Sequence, residues 1–302
     1  MHDSPPVLTS QSLELAGEIL KPPLQTLDKP RRILKFPADS SYFVASMHGF
    51  IDRVKMHPSH HRQRIHTPSV PSQEFVDDAC VLRYHSKAVL ILAQAREDQQ
   101  LSYYTFTEMQ SPTVRPLGRP WSPGKKGGAS ALTAMMQDLM FASGGYDHSV
   151  HLWTFSEDLS NASPALLAIK HTAVIHSLLS IRDTSRKLIS AGADCNVQLW
   201  DLSAERATHK IRMSNIPYHV HGTTSPFCTL LEVAHCDSQF EIRDHRMVPE
   251  YPVQRFGYDT PEPHGRYPKG DSWDHFFASG SRNGEVRLWD LRNLRGPPAS
   301  VS

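Results

Sequence analysis

The sequence predicts an all-β chain built from a repeated four-stranded unit, and three observations carry that prediction. Residues 141–155 (FASGGYDHSVHLWTF), 189–202 (ISAGADCNVQLWDL) and 277–291 (FASGSRNGEVRLWDL) align without gaps over their most informative part. Their tryptophans, Trp153, Trp200 and Trp289, fall 47 and 89 residues apart, and a degenerate copy, FEIRDHR at 240–246, lies midway in the longer gap with Arg243-Asp244 where the others have Trp-Asp. Turn residues divide each unit into four short strand-like runs, and no helical periodicity persists long enough to compete. A repeat of about 40–45 residues made of four strands is the unit of a β-propeller, one blade per repeat.

The repeats follow in chain order. Residues 30–73 and 74–118 read as blades from spacing and strand character alone; Phe106, one repeat before Trp153, closes the strand-like run QLSYYTF. In the third blade, 125–170, Leu132, Met135, Met136 and Leu139 would share a helical face, but their place in the repeat predicts a first strand. The fourth blade, 171–213, has strand candidates at 174–181, 187–191, 196–201 and 207–213, with Val197 and Leu199 opposed to Asn196 and Gln198 across the pleat. The fifth is 214–258 and the sixth runs from 262 to the end. Six blades are legible, and the length would just accommodate a seventh. Because Gly296-Pro297-Pro298 leaves no good fourth strand in the last blade, the N-terminal segment 1–29 is expected to supply that outer strand from within 7–27. The propeller proper then occupies 30–302.

Composition narrows the function classes. The chain is 39% hydrophobic and 21% charged with a formal net charge of +1, which provides a core and argues against a whole-surface electrostatic partner such as duplex DNA. Cys80, Cys195, Cys228 and Cys236 form no CxxC pair, so no zinc site or redox dithiol is expected and a reduced nuclear or cytoplasmic location is. Residues 1–17 show no leader pattern, and the longest apolar run, 88–93, is far short of the roughly 18 residues a membrane helix needs. HExxH, GxGxxG, P-loop and kinase signatures are all missing, which predicts a non-catalytic protein without cofactor or small-molecule substrate.

The endings Trp200-Asp201 and Trp289-Asp290, with Trp153-Thr154 as a weaker copy, resemble those of the WD40-repeat β-propeller family, clearly over 132–294 and more faintly back to about residue 30. Seven is that family's commonest blade number. The resemblance implies a protein-interaction platform, and it also reinterprets His171, Ser190, Asp194 and Trp200. Taken alone, Ser, His and Asp in one repeat suggest a hydrolytic triad, although no GxSxG surrounds Ser190. In WD-repeat blades these positions form a buried structural chain from Trp to Ser to His to Asp. The third blade keeps Ser143, Asp147 and Trp153 but has no His within 125–130; the last keeps Ser279 and Trp289, has Asn283 for Asp, and offers only the poorly spaced His264.

Three stretches are candidate partner sites. Residues 53–66 (RVKMHPSHHRQRIH) carry Arg53, Lys55, Arg62 and Arg64 with no carboxylate; the spacing of His57, His60, His61 and His66 fits no common zinc pattern, so a phosphate-binding loop is the better reading, with a plain solvated loop as the alternative. Residues 115–128 read as a basic inter-blade loop whose Trp121 either anchors a partner or folds back on the blades. The ending Trp289-Asp290-Leu291-Arg292 resembles the DWD box of substrate receptors for cullin-4-type ubiquitin ligases, with Arg292 expected on the rim within reach of an adaptor. Asn283 departs from that box, and Trp200-Asp201-Leu202-Ser203 lacks the Arg. The expected function is an adaptor or ligase substrate receptor. The alternative is a chromatin- or nucleic-acid-associated protein using 53–64 and 115–126.

Overall fold

The computed structural model describes residues 29–36, 41–55, 61–67, 75–84, 87–96, 100–107, 110–121, 124–181, 186–247, 251–281 and 283–301. Their strands form six four-stranded antiparallel meanders, the blades of a β-propeller, and these fall into two compact units, Leu27–Ile216 and Pro217–Ser302.

The first unit holds four blades. Blade one comprises β1 (Pro30–Lys35), β2 (Ser41–Ser46), β3 (Ile51–Lys55) and β4 (His61–His66), and blade two β5 (Val76–Tyr84), β6 (Lys87–Gln94), β7 (Leu101–Thr107) and β8 (Gln110–Leu117). Blade three comprises β9 (Ala129–Ala134), β10 (Met140–Gly145), β11 (Val150–Phe155) and β12 (Ala162–Leu167), and blade four β13 (Ile175–Ser180), β14 (Lys187–Gly192), β15 (Asn196–Asp201) and β16 (Arg206–Arg212). The 129–140 segment is thus a strand and a turn, as its repeat position predicts. The uninterrupted apolar run of β6 has a simple cause. Its alternate side chains serve two cores: Val89, Ile91 and Ala93 pack with Tyr103, Phe141 and Trp153, while Ala88, Leu90 and Leu92 pack with Phe43, Ile51 and Tyr104. A strand covered on both faces has no use for polar alternation.

The second unit holds blade five, β17 (Pro217–Gly222), β18 (Cys228–Val233), β19 (Phe240–Asp244) and β20 (Gln254–Phe256), and blade six, β21 (Asp271–Trp273), β22 (Phe276–Gly280), β23 (Val286–Asp290) and β24 (Ala299–Val301). Its core is aromatic, with Phe240 4.9 Å from Phe277 and 5.0 Å from Trp289 between ring centroids. The expectation that residues 296–298 leave blade six no fourth strand of its own is corrected here. Blade six draws a fourth strand from its own sequence: after Gly296-Pro297-Pro298 the chain returns, and Ala299, Ser300 and Val301 pair with Leu288, Arg287 and Val286. Residues 7–27, expected in that place, lie outside the described residues.

Candidate protein-interaction sites at the strand ends

The turn between the second and third strands is built alike in three blades. Asp147, Asp194 and Asn283 each accept the backbone N–H two residues on, at 3.2, 3.1 and 3.3 Å. The residue between, His148, Cys195 or Gly284, is left-handed, with φ of 70°, 59° and 90°. Asn283 therefore keeps the turn while giving up the charge.

In blade four that acid anchors the expected chain. With Nδ1–H of His171 donating to Asp194 at 3.0 Å, Nε2 accepts the Ser190 hydroxyl at 2.9 Å. Burial pushes the His171 imidazole below its ordinary value against the pull of Asp194. Burial pushes the Asp194 carboxyl up, but the Thr172 amide and His171 outweigh it and hold it at about 2. Ser190 is 0% exposed, so no substrate carbonyl reaches it. Trp200 is buried in the apolar cluster with Leu178 and Leu188. The tryptophan-to-serine link is seen in blade three, where the Trp153 indole donates to Ser143 Oγ at 2.9 Å.

Blade three replaces the histidine with an arginine from the preceding linker. Arg119 donates from Nη2 to Asp147 at 2.8 Å and to the Ser149 carbonyl at 2.9 Å, and both charged side chains are fully buried. Gly145 and Gly192 leave room for these two side chains: a Cβ would come within 2.4 Å of Arg119 Nη2 in one blade and 2.6 Å of His171 Nδ1 in the other. In the second unit the linker residue His264 reaches a different acid, donating to the buried Glu232 at 2.8 Å, while His221 donates to its other oxygen at 2.6 Å. Burial pushes the Glu232 carboxyl up, but the two imidazoles outweigh it and hold it well below the usual range.

The basic stretch 53–66 is not a loop where it is described. It lies mostly in β3 and β4, and the carboxylate missing from it stands one residue earlier: the buried Asp52 accepts the Arg62 and Arg64 guanidinium groups, with Arg62 Nε at 3.0 Å. Arg53 donates to Ser41 Oγ at 3.0 Å and lies 4.3 Å over the Phe36 ring. Lys55 is exposed at the end of β3. His57 and His60 fall outside the described residues. Trp121 is 43% exposed, and nearby Lys125 donates to the Asp147 carbonyl at 3.1 Å.

Trp289, expected among the partner-binding residues, is placed in the interior of the second unit. At 3% exposed it is a core residue packed against Phe240, Phe256 and Phe277. Arg292 is at the end of β23, but its fork closes on its own neighbour, with Nε 2.9 Å and Nη2 2.6 Å from the two Asp290 oxygens. The hydrogen bonds from Arg292 hold the Asp290 carboxyl below its ordinary value. Blade five carries a second copy hidden in the degenerate ending Arg243-Asp244-His245-Arg246. Arg246 donates to Asp244 from Nε at 3.0 Å and Nη2 at 2.7 Å, and holds that carboxyl at about 2. Each guanidinium also lies over a ring, Arg246 4.4 Å from Phe227 and Arg292 5.8 Å from Phe276. The Arg246 side chain is 62% exposed, and Phe227 is exposed beside it. Arg243, in the tryptophan position, is buried against Glu241, donating from Nη2 at 2.7 Å, so the substituted charge is paired.

These features define a β-propeller of four-stranded blades in which a linker side chain, Arg119 or His171, holds the turn acid of blades three and four. Residues 263–290 match the WD40 family, described as "WD domain, G-beta repeat", over one blade from beside His264 to Asp290. Among solved structures, the chain is similar to the WD40 β-propeller domain of Doa1, at 13% identity with a TM-score of 0.59 over 91% of this chain and 86% of that one. A search of curated protein sequences finds no match. The fold is that of a WD40-type propeller. No helix among the described residues is long and apolar enough to cross a membrane.

Proposed function

We propose that the chain is a non-catalytic interaction scaffold that docks on a larger assembly through the paired arginine forks of blades five and six. The observation that carries this reading is the repetition. Two consecutive blades of one unit present the same Asp-x-Arg fork at the same strand end, each braced by an aromatic ring. A planar guanidinium fixed by a bidentate carboxylate loses little further freedom on binding, which suits an interface anchor. The full burial of Ser190 speaks against a hydrolase. The finer version, an adaptor or substrate receptor for a cullin-type ubiquitin ligase, rests on the resemblance of the Trp289–Arg292 ending to the DWD box, and Arg246 adds a second such arginine. The nucleic-acid alternative has no comparable repetition behind it, and the formal net charge of +1 gives it no whole-surface attraction.

The test is affinity purification with mass spectrometry of the wild type, Arg246→Ala, Arg292→Ala and the double variant. Each single change is expected to weaken capture of a ligase adaptor by about thirtyfold, corresponding to about 2 kcal/mol, with stability changed by no more than about 1 kcal/mol. A double variant that retains every wild-type partner overturns the rim reading, and a wild type that captures no such adaptor overturns the ligase version.

A further inference from the structure

We propose that the outer strand of blade four, β16, receives an acidic extended segment of a protein partner, added to the sheet as a fifth strand. Each blade ends in one outer strand, β4, β8, β12, β16, β20 or β24, which pairs with a described strand on one side alone. Such an edge presents a row of unpaired backbone N–H and C=O groups, which proteins blunt with proline, short length or charge. β8 and β12 contain Pro112, Pro116 and Pro164, β20 and β24 have three residues each, and the buried Asp52 holds Arg62 and Arg64 of β4. β16 (RATHKIR) has seven residues, no proline and no acid. Its cations alone guard it. Like charge repels a second basic edge and attracts an acidic one.

The charge sits where a fifth strand would meet it. Lys210 and Arg212 are exposed and two residues apart, so they share one face of the strand. Among the described residues neither side chain enters an ion pair or a hydrogen bond. Lys170 adds a third exposed cation beside them, because its carbonyl accepts Gln198 Nε2 at 2.7 Å and Gln198 pairs with Lys210. The described carboxylates of the blade stand at the strand ends. Asp194 accepts His171 Nδ1–H and the Thr172 amide, and Asp201, opposite Arg206, accepts the Ser203 and Ala204 amides. Glu205 precedes β16, beside Arg206. A strand with Glu at alternate positions would set its carboxylates across from Lys210 and Arg212 while its backbone extends the ladder. A phosphodiester chain offers the charge without the alternating donors and acceptors, so a peptide matches both features and a nucleic acid one.

The test uses the capped peptide acetyl-Thr-Glu-Thr-Glu-Thr-Glu-Thr-amide, titrated onto the full chain and followed by ligand-observed NMR. Saturable binding that weakens with salt is expected. It should be about tenfold or more tighter than that of two controls, one with Gln for Glu and one N-methylated throughout, which keeps the charge but cannot donate to the edge. Lys210→Gln and Arg212→Gln should each raise Kd up to about fivefold, and the double variant should raise it about tenfold or more. Arg246→Ala and Arg292→Ala should leave peptide binding unchanged, so failure here and failure at the forks are read separately. Equal binding of either control, no saturable binding, or an unchanged Kd in the double variant whose circular dichroism melt matches the wild type overturns the proposal. So does displacement of the peptide by a thymidine oligonucleotide of equal charge at a lower concentration than the peptide itself requires.

Discussion

At the scale of single residues, the fold buries charges and supplies their partners from neighbouring strands and linkers. Arg119 and Asp147 illustrate the consequence. Removing one member strands the other in a dry site, and Arg119→Met is expected to cost about 3–5 kcal/mol. Adding Asp147→Asn to it should recover part of that loss, because no unpaired charge then remains. Denaturant midpoints decide this; a double variant no more stable than the single one counts against a pair held by mutual compensation. His151 gives a pH-dependent counterpart. Burial, aided by the Arg119 charge, lowers its imidazole to about 4 from an ordinary 6.5. The unfolded chain therefore takes up a proton that the folded chain refuses. Stability is full above pH 6.5 and is lost as pH falls from 6.5 towards 4, by at most about 3 kcal/mol from this group. His171, lowered for the same reason, acts in the same direction. In His151→Gln the loss between pH 7 and pH 4 should shrink, and an identical pH profile for wild type and variant would sink the assignment.

At the scale of elements, the two faces of β6 make the sharpest claim. Ile91 and Leu92 are adjacent in sequence yet belong to different cores, one shared with blade three and one with blade one. Ile91→Ala and Leu92→Ala should each cost about 2–5 kcal/mol with an unchanged denaturant m-value, whereas a strand with one solvated face would show the loss at only one position. The strands themselves were legible, because the repeat period and the Trp-Asp endings recur in sequence, and blades were placed correctly even where only spacing marked them. The short β24 was not, since Gly296-Pro297-Pro298 reads as a stop although the chain resumes pairing just beyond it. The electrostatic partners were harder still. Arg119 does the work of a histidine from outside the stretch where one was sought, Asp52 stands one residue ahead of the basic run it neutralises, and Arg246 follows an ending whose tryptophan has been replaced. In each case pairing is set by strand register and linker path rather than by proximity in sequence. Trp289 is the opposite case: it is conspicuous in sequence as a motif residue, and its large ring fills the core of the second unit.

At the scale of the whole molecule, the chain divides into a larger unit of four blades and a smaller one of two, and each has its own apolar interior. Stacked sheets of this kind are stabilised by their nearest neighbours, so cooperativity need not extend across every blade. A smaller body also buries a lower fraction of its surface. The second unit carries further costs in its core, because Glu232 and Glu241 are both fully buried as acids whose partners must stay in place. It is therefore expected to unfold at lower denaturant than the first. The tryptophans make this measurable: Trp153 and Trp200 lie in the larger unit and Trp289 is the buried indole of the smaller. In variants with the exposed Trp121 and Trp273 changed to Phe, keeping either Trp289 alone or the Trp153–Trp200 pair, fluorescence should report two midpoints, with that of Trp289 the lower. Both should differ from the single curve that far-ultraviolet circular dichroism would give for an all-or-none protein. Coincident midpoints from the two sets of tryptophans would show that the six blades unfold together and that the division into units has no energetic counterpart.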